Sequence, residues 1–125
     1  MVHNWLERTE MLIGRQSLNK LQNSKVLVVG LGGVGSYAAE MICRSGIGSL
    51  TIVDGDQVHL SNINRQLLAL NSSIGKPKAL LMGERLKDIN PDLKLTVINE
   101  NIKDDRMIEI LDYGYDYVVD AIDTL

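Results

Sequence analysis

Apolar residues in this chain gather into short runs separated by stretches of helical spacing. Val26-Leu27-Val28-Val29 is apolar throughout and predicts a first strand, Lys25 to Val29, covered on both faces as in a parallel sheet. A small-residue helix is predicted from Val34 to Ser45, closed by Gly46-Ile47-Gly48, and a second strand from Ser49 to Val53. Lys78 to Asn90 carries Leu81, Leu86 and Ile89 at near-helical spacing, with Pro91 just beyond its end. Leu93 to Asn99 alternates as a strand, Asp104 to Leu111 reads as a short helix, and Tyr117 to Ala121 as a fourth, core strand. Upstream, residues 3 to 13 hold Trp5, Leu6, Leu12 and Ile13 in an irregular helical pattern stopped by Gly14, and Ser17 to Leu21 predicts a further short helical turn. Strands alternating with helices predict an α/β fold: a Rossmann-like, doubly wound, mainly parallel sheet preceded by N-terminal helices.

Between the second strand and the next helix lies a long polar stretch from Asp54 to Ser73, in which Leu67-Leu68-Ala69-Leu70 is expected to form one helical turn. A connection of that length inside a compact domain usually carries function.

Gly30-Leu31-Gly32-Gly33-Val34-Gly35 follows the first strand directly and opens the first long helix. Gly30 permits a tight turn, Gly32 lets a phosphate approach the backbone, and Gly35 allows close packing of helix on strand. The helix N-terminus offers free N–H donors and a partial positive charge to an anion. Asp54 ends the second strand, where a carboxylate accepts hydrogen bonds from ribose hydroxyls. Asp56 is a candidate second ligand, its simpler reading being a solvated loop acid. These features fit NAD and ATP equally.

The stretch Ser61-Asn62-Ile63-Asn64-Arg65-Gln66, followed by Ile74-Gly75-Lys76-Pro77-Lys78, separates the two. Activating a carboxylate with ATP requires neutralising a triphosphate and the charge that develops at its α-phosphorus. Arg65 can fork two phosphate oxygens, Lys78 can supply a point charge, and Asn62 and Gln66 can orient phosphate or acyl oxygens. A dehydrogenase needs no such cluster at this place.

The ordered set Gly-x-Gly-Gly-x-Gly, Val53-Asp54-x-Asp56, Ser61-Asn62-x-x-Arg65-Gln66, Gly75-x-Pro77-Lys78 and Asp120-x-x-Asp123 resembles the ThiF/MoeB/HesA family, bacterial relatives of ubiquitin-activating enzymes. The resemblance covers nearly the whole chain. It implies an ATP-dependent adenylating enzyme with Gly30, Gly32, Gly33, Gly35, Asp54 and Asp56 around the nucleotide. It also implies phosphate contacts from Asn62, Arg65 and Lys78, support from Gln66, and Asp123 at a Mg2+ site. Arg8, within Arg8-Thr9-Glu10-Met11-Leu12-Ile13-Gly14, is similar to the family's N-terminal arginine, which in homodimers reaches the ATP of the opposite subunit. The catalytic set implied is Arg65, Lys78 and Arg8. Arg44-Ser45-Gly46-Ile47-Gly48, Asn64 to Leu70 and Asp120-Ala121-Ile122-Asp123-Thr124 look most like the branch that dehydrates threonylcarbamoyladenosine in tRNA. The alternative is adenylation of the C-terminal glycine of a ubiquitin-like sulfur-carrier protein, although Ala121 and Thr124 depart from that pattern. An NAD-dependent oxidoreductase and a scaffold keeping the fold only for dimerisation are the remaining readings.

The chain is accordingly divided into an N-terminal helical segment, 1–24, and an ATP-binding unit, 25–125, expected to be the N-terminal part of a longer protein and inactive alone. A net charge of −3 announces no overall basic field for nucleic acid, although Lys76, Lys78, Arg85 and Lys87 lie close in sequence. The single cysteine, Cys43, falls inside the first long helix and reads as a buried thiol, leaving no internal disulfide. No apolar run approaches the roughly 20 residues of a membrane span, and the first residues lack a signal-peptide core. The expectation is a cytoplasmic protein.

Overall fold

Four short apolar runs become four parallel strands in the computed structural model, which describes residues 4–122. They are β1 (Lys25–Val29), β2 (Ser49–Val53), β3 (Lys94–Ile98) and β4 (Tyr117–Asp120), joined laterally in the order β3-β2-β1-β4. Val28 stands opposite Ile52 on one side and Val119 on the other, so β1 is central, and Ile52 in turn faces Val97. The helices are α1 (Glu7–Ile13), α2 (Arg15–Gln22), α3 (Gly35–Arg44), α4 (Lys78–Ile89) and α5 (Asp104–Leu111).

Period-two alternation in the strands splits the core into two layers. Val26, Val28, Leu50 and Ile52 face Ala39 and Cys43 of α3 and Met82 and Leu86 of α4. Leu27, Val29, Val53 and Ile98 face Ile110 of α5 on the other side. Cys43 is fully buried, and burial pushes its thiol above the usual range, as expected of an inert core residue. Glu40 on α3 ties the first layer together by pairing with Arg44 at 3.2 Å and with Arg85 of α4.

Two local expectations change. Leu67–Leu70 is not a helical turn: Leu67 and Leu68 form a plain turn and Ala69 and Leu70 are irregular, while short 3₁₀ turns form at Leu60–Asn62 and Asn71–Ser73. There the Ser73 hydroxyl donates to the Leu68 carbonyl at 2.6 Å, a side-chain bond that replaces a helical one. The short turn at Ser17–Leu21 is a full helix, α2, which begins at Arg15 right after Gly14. Among the described residues β4 pairs with β1, and its Tyr117 and Val118 are exposed. The N-terminal helices anchor through Leu6 and Leu18, both buried, whose methyl groups lie 3.2 Å from where a Cβ on Gly46 would stand.

Candidate functional site

All four strands end on one edge of the sheet, and the strand order reverses between β1 and β4, the position where open α/β sheets form a crevice. A cleft of about 270 Å³ opens there.

Its floor is the glycine turn. Gly30 has φ +95°, and a Cβ on it would lie 2.7 Å from the Ala121 carbonyl oxygen. Gly35 is tighter still: its Cβ would sit 1.6 Å from the Gly30 carbonyl oxygen, so α3 can start against the turn only without a side chain. Among the described residues, the N–H groups of Gly32, Gly33, Val34 and Gly35 form no hydrogen bond. The start of α3 therefore carries free donors where the helix dipole is positive.

Asp54 does more than the strand-end position implied. Its Oδ2 accepts the Leu31 N–H at 2.7 Å and its Oδ1 accepts the Asp56 N–H at 2.7 Å. The carboxylate thus clamps the glycine turn to the end of β2. Each oxygen retains lone-pair capacity toward the cleft.

The long connection after β2 is stitched at its base. Val58 N–H donates to Lys76 O at 2.9 Å, Gly75 N–H to Val58 O at 2.8 Å, and Lys78 N–H to Asp56 O at 3.0 Å. This anchoring sets the start of α4 beside the turn. Lys78 lines the cleft at 5% exposure and makes no ion pair among the described residues. Gln66 lines the same cleft, is 7% exposed, and its Oε1 has no hydrogen-bond partner. A buried cation without a counter-ion and a buried acceptor without a donor are both costly. Their meeting in one cavity is the mark of a binding site for a polar, anionic molecule.

The predicted residues do not all converge. Gly30, Gly32, Asp54, Asp56, Gln66 and Lys78 line the cleft. Gly33 lies at its rim, with the Arg65 stem beside it; Arg65 Cγ is 3.7 Å from where a Gly33 Cβ would be. Arg65 is exposed, and its Nη1 donates to Ser61 O at 3.1 Å and to Asn64 Oδ1 at 2.9 Å. Asn62 is buried beneath the loop, with its Oδ1 accepting the His59 N–H at 2.9 Å. Arg8 is exposed on α1 and borders a separate surface concavity with Glu7, Met11 and Leu12. Asp123 lies outside the described residues. Among the described residues no group of three or more His, Cys, Asp or Glu forms a metal cluster.

Sequence reasoning missed the far wall, built by Glu100, Asn101 and Ile102 after β3 and by Ala121 and Ile122 after β4. One signal was present. A Cβ on Gly55 would be 2.3 Å from Asn101 N, so the glycine after Asp54 marks the close approach of that wall. Glu100 pairs with Arg106, its Oε2 at 3.1 Å from Nη2, and this hydrogen bond is the main cause that raises the guanidinium above its ordinary range. The basic run noted in sequence does not form a common face: Lys78 is in the cleft, Arg85 pairs with Glu40, and Lys87 donates to Pro91 O and Leu93 O. No helix among the described residues is long and apolar enough to cross a membrane.

The chain is similar to known proteins in sequence and fold. The model of the ThiF family matches residues 6–125. The tRNA threonylcarbamoyladenosine dehydratase of Bacillus subtilis (strain 168) is 46% identical over 125 residues, 100% of this chain and 49% of that protein. The sulfur carrier protein ThiS adenylyltransferase of Escherichia coli (strain K12) is 37% identical over 106 residues, 85% of this chain and 42% of that protein. The crystal structure of the E. coli tRNA N6-threonylcarbamoyladenosine dehydratase in complex with ATP matches with a TM-score of 0.92 at 40% identity, covering 99% of this chain and 53% of that one. The chain spans about half the length of the curated relatives it matches.

Proposed function

The chain belongs to the ThiF family, and on that premise we propose that it forms the nucleotide-binding part of an enzyme that activates a carboxylate by adenylation. The carboxylate taken is that of threonylcarbamoyladenosine in tRNA. The observation that carries this reading is the cleft in which Lys78, without a counter-ion among the described residues, and the unpartnered Gln66 oxygen meet the free N–H groups of the glycine turn. A relative named as a tRNA threonylcarbamoyladenosine dehydratase and a dehydratase structure in complex with ATP support it.

In the proposed reaction a carboxylate oxygen of the substrate bonds to the α-phosphorus of ATP while the bond to pyrophosphate breaks. The carbamoyl group of the same side chain then attacks the activated carbonyl, closes the ring and expels AMP. Asp54 binds the ribose through the lone pairs its backbone contacts leave free. The glycine turn and Lys78 hold phosphate oxygens and stabilise charge at the α-phosphorus. Arg65, at the rim, joins them after exchanging its local bonds to Ser61 and Asn64 for phosphate oxygens. Asp123 is the proposed carboxylate for Mg2+, a cation that takes one or two carboxylates together with phosphates and waters. Arg8, exposed beside Met11 and Leu12, is proposed to serve the cleft of a second subunit in a homodimer. The work is assigned to the cytoplasm, with its tRNA.

Adenylation of a sulfur carrier's C-terminal glycine is the second reading, favoured by the 37% identity to a carrier adenylyltransferase. Pyrophosphate exchange into ATP by the intact protein separates the two. Exchange that depends on tRNA bearing threonylcarbamoyladenosine is the expected result. Exchange driven only by a carrier protein would transfer the assignment, and NAD binding without ATP binding would end both.

A further inference from the structure

Ser36, the second residue of α3, has no exposed surface, and the chemistry above gives it no role. Its hydroxyl donates to the Gly32 carbonyl oxygen at 2.6 Å, while its own N–H reaches that oxygen at only 3.3 Å. The hydroxyl is therefore the stronger of the two holds on this carbonyl. Peptide bonds among the described residues are trans. In a trans peptide the C=O and the following N–H point in opposite directions. Holding the Gly32 carbonyl toward the helix turns the Gly33 N–H the other way.

A linkage between two glycines has little preference of its own, so this peptide could rotate cheaply. Rotation would put carbonyl lone pairs where the N–H stood. For an anion in the cleft, an attracting dipole would become a repelling one. The Gly30–Leu31 peptide, two before it, is fixed separately, through the Leu31 N–H and Asp54.

We infer that Ser36 is a positioning residue whose buried hydroxyl locks the Gly32–Gly33 peptide, so that the turn offers phosphate an N–H and not a carbonyl. This rests on the reading of the cleft as a nucleotide site. Independent of the turn, the unpartnered oxygen of Gln66, on a side chain more than nine-tenths buried in the same cleft, points to a ligand there.

The test is calorimetric titration of the intact protein with ATP and, separately, with adenosine. Ser36→Ala is expected to weaken ATP about tenfold and to leave adenosine within about twofold of wild type. Ser36→Thr keeps the hydroxyl and is expected to restore ATP binding. Ser36→Cys, a weaker donor of similar size, should fall between Ala and wild type and serves if the alanine variant does not fold. Equal loss of ATP and adenosine, or unchanged ATP affinity in the alanine and cysteine variants, overturns the positioning role. A wild-type protein that binds no ATP overturns the nucleotide reading itself, and the inference with it.

Discussion

Replacing Lys78 by methionine should make the protein more stable and deprive it of its nucleotide. The side chain is 5% exposed at the start of α4 and lacks an ion pair among the described residues. Taking an ammonium out of water costs several kcal/mol unless a partner repays it, and methionine fills a similar volume without that cost. A gain of roughly 0.5–2 kcal/mol is expected, the range in which functional strain is commonly relieved. For a domain of this size that is an increase in Tm of roughly 2–10 °C. The loss is larger. A phosphate charge about 4 Å from the ammonium, at an effective dielectric near 20, interacts by about 4 kcal/mol. Removing it should weaken ATP by about a thousandfold. Thermal unfolding of the intact protein with and without ATP reads both effects: wild type should melt lower when free and gain from nucleotide, the variant higher and gain nothing. A Lys78→Met protein that melts earlier than wild type, or that still responds to ATP, refutes the claim that this charge is held unpaired for an anion.

Gly35→Ala should cost more than about 3 kcal/mol in urea unfolding, because its Cβ would stand 1.6 Å from the Gly30 carbonyl oxygen and backbone must move. Arg65→Ala should leave the urea midpoint within about 0.5 kcal/mol of wild type, since its bonds are local and exposed, while pyrophosphate exchange is abolished. Glu40 is held below its ordinary value of 4.5, first by the hydrogen bond from Arg85 and against the opposing effect of burial. A carboxyl depressed in the folded state stabilises above its unfolded pKa and ceases to do so as pH falls through the folded value. Glu40→Gln should therefore be less stable than wild type at pH 7, and the gap should narrow below about pH 4.5 in urea titrations.

The sheet was legible because its signals are local. Val26–Val29 and Leu50–Val53 announce buried strands by their own composition, and α5 spans the residues its spacing predicts. Contacts between distant segments left less trace. Glu100 and Asn101 enter the cleft because the parallel pairing of β2 with β3 aligns their C-terminal ends, a matter of register that no single segment encodes. The clamp of Asp54 on Leu31 is likewise a product of two strands meeting, so strand-end position indicated a ligand acceptor and concealed a structural one. Leu67–Leu70 misled because four apolar residues favour a helix in isolation, whereas the Ser73 hydroxyl captures the Leu68 and Leu70 carbonyls. The lateral order of the strands is likewise something that hydrophobic runs do not reveal.

That order also ranks the strands in time. Lys25 finds Ser49 across one short crossover, but Lys25 and Asp116, whose carboxylate accepts the Lys25 N–H, are 91 residues apart. Closing the larger loop costs more entropy and is rewarded late, so β4 should dock after the other three have assembled and be the first to protect poorly against hydrogen exchange. Since Ala121 and Ile122 line the pocket wall, nucleotide capture doubles as a gauge of whether β4 has docked.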